Sequence, residues 1–124
     1  MTDRRTKTVM LIEDDAPMAA VLRTLLELEG FQVFVAPDKQ GLEPILEAIH
    51  TARPDMLLLD VHLRQTNGYE IIKRVRADEE IRATRVVMSS GMDVEERCLT
   101  AGADGFLLKP FMPEELLAKL IGEA

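Results

Sequence analysis

The 124-residue chain is long enough for one domain with a real core and too short for two. With 47% hydrophobic and 30% charged residues it has the composition of a globular protein, not of a disordered chain or a membrane span. A net charge of −7, from 22 acidic against 15 basic residues, argues against direct binding to a nucleic-acid phosphate backbone.

The first seven residues, MTDRRTK, are polar and expected to fray, leaving a single domain over 8–124. No apolar segment follows them to form the core of a secretion signal, and no lipidation motif is visible. The expected compartment is therefore the cytoplasm. A first strand, β1, is predicted over about 8–13, where VMLI runs into Glu13-Asp14-Asp15. Helix α1 follows at about 16–29, with Met18, Val21, Leu22, Leu25 and Leu28 as its apolar face and Gly30 in the place of a C-terminal cap. The segment FQVFV, 31–35, reads as β2, and its polar Gln32 suits a sheet edge. Helix α2, at about 38–51, aligns Leu42, Ile45, Leu46 and Ile49. Pro44 has no N–H and clashes with the preceding turn, so either the helix proper begins near Leu42–Glu43 or it bends. Arg53-Pro54 ends it.

Strand β3 is predicted over 55–60, where MLLL runs into Asp60. A loop over 61–68 carries the turn signal Asn67-Gly68. Helix α3, at about 69–78, turns Ile71, Ile72 and Val75 inward, and β4, at 85–89, runs into Ser89-Ser90. Helix α4, at about 93–101, is short and closed by Gly102. The lone Cys98 falls on its apolar stripe with Val94 and Ala101 and reads as a small buried hydrophobe. Strand β5, at 105–108, runs into Lys109-Pro110. Helix α5, at 113–122, opens on Pro113 with Glu114 and Glu115 near its positive end. Met112 before it offers no side-chain acceptor, which makes a weak cap. Arg64, Lys73, Arg74 and Arg76 cluster in sequence and read as the solvated face of a helix.

Five β-α units in succession imply a parallel sheet with helices on both faces. The strand ends then share one edge, where ligand sites of open α/β sheets lie. Glu13, Asp14, Asp60, the Ser90 hydroxyl and the Lys109 ammonium are expected to meet there in one crevice. Two carboxylates about 4 Å apart repel by roughly 4 kcal/mol at an effective dielectric near 20. Three require protonation or a counter-charge, and carboxylates with a main-chain carbonyl and waters suit Mg²⁺. Such a set reads as a phosphoryl-transfer site. A carboxylate oxygen would be the nucleophile, Lys109 and the metal would offset charge, and Ser90 would bond one phosphoryl oxygen.

These residues resemble the response-regulator receiver domains of two-component signalling, the CheY-like family, over nearly the whole chain. LIEDDAP resembles the family's acidic motif, LLLDVHLRQTNGYE its phosphoacceptor motif, VVMSSG its Ser/Thr motif and GFLLKPF its Lys-Pro motif. The resemblance implies a flavodoxin-like sheet of order 2-1-3-4-5, with Asp60 as phosphoacceptor. Asp14 and Asp60 would bind Mg²⁺ directly, Glu13 mainly through water, and the backbone carbonyl of His62 would complete the protein ligands. Asp15 would start α1, the His62 side chain would lie near the site mouth, and Ser90 with Phe106 would form the switch. A sensor histidine kinase or phosphotransfer protein would supply the phosphoryl group. The α4-β5-α5 surface would pass the signal to another protein or serve in dimerisation. Nothing beyond α5 is expected to serve as an output domain, and neither enzymatic turnover of other substrates, nucleic-acid binding nor membrane insertion is expected. The competing readings are an inert receiver-like interaction module and a small aspartyl-phosphate phosphatase, for which Asp60-Val61-His62 lacks the second acid. The chain departs from the family pattern at Arg64, where proline is common, and at Asn67, where an acid is usual. The interval from Ser90 to Lys109 is about one helical turn short, and Phe106 has no hydroxyl.

Overall fold

The computed structural model describes residues 7–36 and 41–122. The predicted frayed tail up to residue 6, the start of the predicted α2 at 38–40 and the last two residues of the predicted domain lie outside the described residues. The elements run β1 (Thr8–Ile12), α1 (Ala16–Leu28), β2 (Gln32–Val35), α2 (Leu42–Ala52), β3 (Met56–Asp60), α3 (Gly68–Ala77), β4 (Arg85–Ser90), α4 (Glu95–Ala101), β5 (Gly105–Leu108) and α5 (Pro113–Ile121). All strand pairings are parallel, in the order β2-β1-β3-β4-β5. This is the doubly wound sheet expected from the β-α alternation, with β2 at an edge.

Period-two alternation along the strands sorts the core into two layers. Val9, Leu11, Leu58, Val87 and Leu107 pack beneath Leu22 and Leu26 of α1 and Leu116 and Leu120 of α5. Met10, Leu57, Leu59, Val86 and Met88 face the other way, against Ile49 of α2, Ile71, Ile72 and Val75 of α3, and Cys98 of α4. Cys98 is fully buried, as its stripe predicted.

Several local expectations change. The buried face of α1 is Ala19, Leu22 and Leu26, whereas Val21 and Leu28 are 63% and 79% exposed. Met18 and Leu25 of the expected face are partly buried against the same layer, so the contact line runs through Met18, Ala19, Leu22, Leu25 and Leu26. Pro44 falls in the first turn of α2, where no backbone N–H is required, and the helix begins at Leu42. Helix α4 starts two residues later than predicted, with no side-chain cap at Val94. The start of α5 is better held than expected. The Glu115 carboxylate accepts the Met112 N–H at 2.8 Å, half of a capping box. The basic cluster is not a uniform solvated face. Arg74 pairs with Glu43 at 3.0 Å, and Arg76 turns back to donate to the carbonyls of Gly102 and Thr84 and to Asp104.

Candidate functional site at the carboxyl edge of the sheet

The same alternation decides which strand-end side chains meet. Glu13 continues the Val9, Leu11 series, Asp60 the Met56, Leu58 series, and Lys109 the side of Leu107. All three therefore belong to the face covered by α1 and α5. The Lys109 Nζ lies 2.9 Å from Glu13 Oε1 and 3.4 Å from Asp60 Oδ2. Both carboxylates are buried, Asp60 at 7% exposure and Glu13 at 9%. One ammonium is thus shared by two acids taken out of bulk water, a pairing that leaves excess negative charge. Burial, and next the Glu13 charge, push the Asp60 carboxyl up to about 6, with Lys109 pulling the other way. Lys109 is itself raised, because Glu13 and Asp60 outweigh the opposing effect of burial.

The neighbouring loops are pinned by hydrogen bonds. Glu13 Oε2 accepts the Asp15 N–H at 3.1 Å, and Asp15 caps α1 by accepting the Met18 N–H, as its position suggested. After β3, the Val61 N–H donates to the Ser89 carbonyl and the Gly68 N–H to the Val61 carbonyl. His62 and Asn67 form an antiparallel bridge between these points. Asn67 caps α3 by accepting the Glu70 N–H at 2.9 Å. A Cβ on Gly68 would sit 2.6 Å from the Asp60 carbonyl oxygen and 2.8 Å from Met88 Cε, so only glycine lets α3 start this close to the end of β3.

The cleft encloses about 740 Å³ and is lined by Glu13, Asp14, Asp60, His62, Arg64 and Lys109, among others. Asp14 is in the cleft, yet its Oδ2 accepts the backbone N–H of Arg64 rather than joining the Glu13–Lys109–Asp60 group. Among the described residues no three His, Cys, Asp or Glu side chains stand close enough to chelate an ion by themselves. The His62 side chain is exposed at the cleft mouth. Ser90 belongs to the opposite pleat, with Met88, and is fully buried; its Oγ accepts the Met92 N–H at 3.0 Å. Ser89, not Ser90, stands opposite Asp60 in register. Phe106 is buried on the Ser90 side of the sheet, in the cluster with Met88 and Cys98. The donors are all hard oxygens, and Asp60 stays raised despite Lys109. Mg²⁺ bound through one or two carboxylates, a carbonyl and several waters fits this chemistry.

Two contributors were missed in the sequence. The Asn67 cap had a signal, an Asn followed three residues later by Glu70. The Arg64 N–H had none, because it is main chain. A second groove of about 480 Å³, lined by Glu43, Pro44, Leu46, Glu47, His50, Arg74 and Asp78 of the α2 and α3 region, holds none of the strand-end residues.

The chain is similar in sequence and fold to known proteins. The sequence model of the response regulator receiver domain matches residues 9–121. The phosphate regulon transcriptional regulatory protein PhoB of Pseudomonas aeruginosa is 32% identical over 117 residues, covering 92% of this chain and 50% of that protein. The DNA-binding response regulator MtrA of Mycobacterium tuberculosis is 32% identical over 118 residues, covering 95% and 50%. The chain thus spans about half the length of these curated relatives. Among solved structures, chemotaxis protein CheY4 of Vibrio cholerae superposes with a TM-score of 0.83 at 28% identity, covering 94% of this chain and 97% of that one. A CheY-like receiver domain protein of Methanospirillum hungatei gives 0.81 at 25%, covering 94% and 91%. Strand order, strand-end chemistry and these matches agree: the chain belongs to the response regulator receiver domain family of two-component signalling.

Proposed function

We propose that this domain is a phosphorylation switch whose acceptor is Asp60. A sensor histidine kinase or a phosphotransfer protein would be the donor. An Asp60 carboxylate oxygen attacks phosphorus, the bond from phosphorus to the donor nitrogen breaks, and that nitrogen retains the electron pair. Lys109 is the residue to pair with the phosphoryl oxygens, and Glu13 shares its charge before transfer. Mg²⁺, when bound, supplies a charge that offsets the crowded oxygens. Asp14, Asp60 and the His62 carbonyl would hold it directly in this reading, and Glu13 would act mainly through water. Ser90 leaves the Met92 N–H to bond a phosphoryl oxygen, and Phe106 turns into the space released. The α4-β5-α5 face, where Leu99 and Leu108 are exposed, is then read by another protein or by a second copy of the chain. Switching follows only if the phosphoryl group interacts differently with two conformations.

The observation that carries the reading is the shared Lys109 ammonium between buried Glu13 and Asp60. The domain is a signalling acceptor that assists only its own phosphorylation and dephosphorylation. Its acidic balance disfavours direct nucleic-acid contact. No helix among the described residues is long and apolar enough to cross a membrane; the cytoplasm is the proposed location. The test is incubation with Mg²⁺ and a small acyl-phosphate donor, followed by intact mass. One added phosphoryl group is expected, and none in Asp60→Asn. No uptake by the native chain, with Mg²⁺ binding demonstrated, would favour an inert module.

A further inference from the structure

A loop backbone must find partners for its N–H groups. In the loop after β3, the Arg64 N–H finds Asp14 Oδ2, fifty residues earlier in the chain. A main-chain donor to an ionised carboxylate is among the stronger neutral-to-charged contacts. It also sets the direction of the Asp14 side chain. The carboxylate is turned to the loop, while Glu13 and Asp60 gather at Lys109. With Asp14 so engaged, no three acidic side chains among the described residues converge on one point. The contact depends on residue 64 having an N–H, which every residue except proline supplies.

We propose that the Arg64 N–H···Asp14 bond is a latch that competes with a divalent cation for Asp14 Oδ2. This rests on the reading of Asp14 as a metal ligand. While it is closed, the latch holds Asp14 against the 62–66 loop and weakens cation binding. When a cation takes Asp14 Oδ2, the Arg64 N–H loses its partner and the loop is released from the turn after β1. Metal occupancy and loop freedom are thereby linked in this chain. The opposite relation is equally specific. Were the same bond to orient Asp14 toward the ion, as second partners of ligating carboxylates often do, its loss would weaken binding.

Four versions of the full chain decide between these. Mn²⁺ binding is followed by the signal of the free ion in electron paramagnetic resonance, and exchange of the Arg64 amide hydrogen by NMR with and without saturating Mg²⁺. Arg64→Pro, which removes the donor, is expected to bind Mn²⁺ about tenfold more tightly than the native chain. Arg64→Ala, which keeps the N–H and removes the guanidinium, is expected to match the native chain. Asp14→Ala is expected to bind more weakly, and its Arg64 amide to exchange faster. In the native chain the Arg64 amide should exchange faster when Mg²⁺ is bound, against the general slowing that a ligand brings. Unchanged or weaker binding in Arg64→Pro would overturn the latch and leave the metal reading standing. So would equal tightening in Arg64→Ala, or a protected Arg64 amide under saturating Mg²⁺. Undiminished binding in Asp14→Ala would overturn the metal reading itself, and the latch with it. If Arg64→Pro fails to fold, the amide exchange of the native chain still decides.

Discussion

Replacing Asp60 by asparagine removes a buried charge that the folded cleft disfavours, so it should stabilise the domain in a pH-dependent way. The Asp60 carboxyl ordinarily ionises near 3.8 and is pushed up to about 6, first by burial and then by Glu13. Only well below pH 3.8 is the group protonated in both folded and unfolded chains, where it contributes nothing. As pH rises toward 6 the unfolded chain releases the proton more readily, and native stability falls. Above about 6 the penalty is complete. The displacement corresponds to roughly 3 kcal/mol, reduced to about 2 kcal/mol by water reaching the cleft. Asp60→Asn should therefore converge on the native chain as pH falls well below 3.8 and exceed it by about 2 kcal/mol near pH 7, a rise in Tm of roughly 6–10 °C. Urea and thermal unfolding with a chelator present measure both. Excess Mg²⁺ should narrow the difference at neutral pH, because it relieves the same charge in the native chain alone. A stability gap independent of pH, or a variant less stable than the native chain at neutral pH, would refute the reasoning.

Gly68→Ala forces a Cβ to within 2.6 Å of the Asp60 carbonyl oxygen. Overpacking of this kind should cost about 1–3 kcal/mol in urea unfolding and displace the end of β3. The Cys98 thiol is fully buried and its pKa is raised, chiefly by burial. It should resist a thiol reagent in the native chain and react at once in denaturant; fast labelling of the native chain would mean that α4 opens readily. The Tyr69 hydroxyl is buried, meets no oxygen or nitrogen partner among the described residues, and has only the weakly bonding Cys98 thiol beside it. Tyr69→Phe should thus be neutral or stabilising by about 1 kcal/mol, while a clear loss of stability would reveal a partner for that oxygen.

The strands were legible because each is a short apolar run bounded by polar residues, and the β-α alternation then leaves few topologies. The site was legible for a related reason. Polar groups at the ends of β1, β3 and β5 are conspicuous after such runs, and a parallel sheet delivers them to one edge. Strand parity could have been counted from sequence as well; it separates Glu13, Asp60 and Lys109 from Ser90, which backs onto the Phe106 layer. On α1 the expected Met18, Leu22 and Leu25 do face the sheet, whereas Val21 and Leu28 are exposed and Ala19 and Leu26 take their places; hydrophobicity alone does not fix the rotation of the stripe by one position. The Asp14 bond to the Arg64 N–H joins a side chain to main chain across two strands, and no residue pattern encodes it.

The most direct test of the account is chemical trapping of the acceptor. After exposure to Mg²⁺ and a small acyl phosphate, borohydride reduces an aspartyl phosphate to homoserine, and peptide mass mapping locates it. Homoserine at position 60 alone, dependent on both Mg²⁺ and donor, is the predicted result. Reduction at Glu13 or Asp14, or none anywhere in a chain that demonstrably binds Mg²⁺, would contradict it.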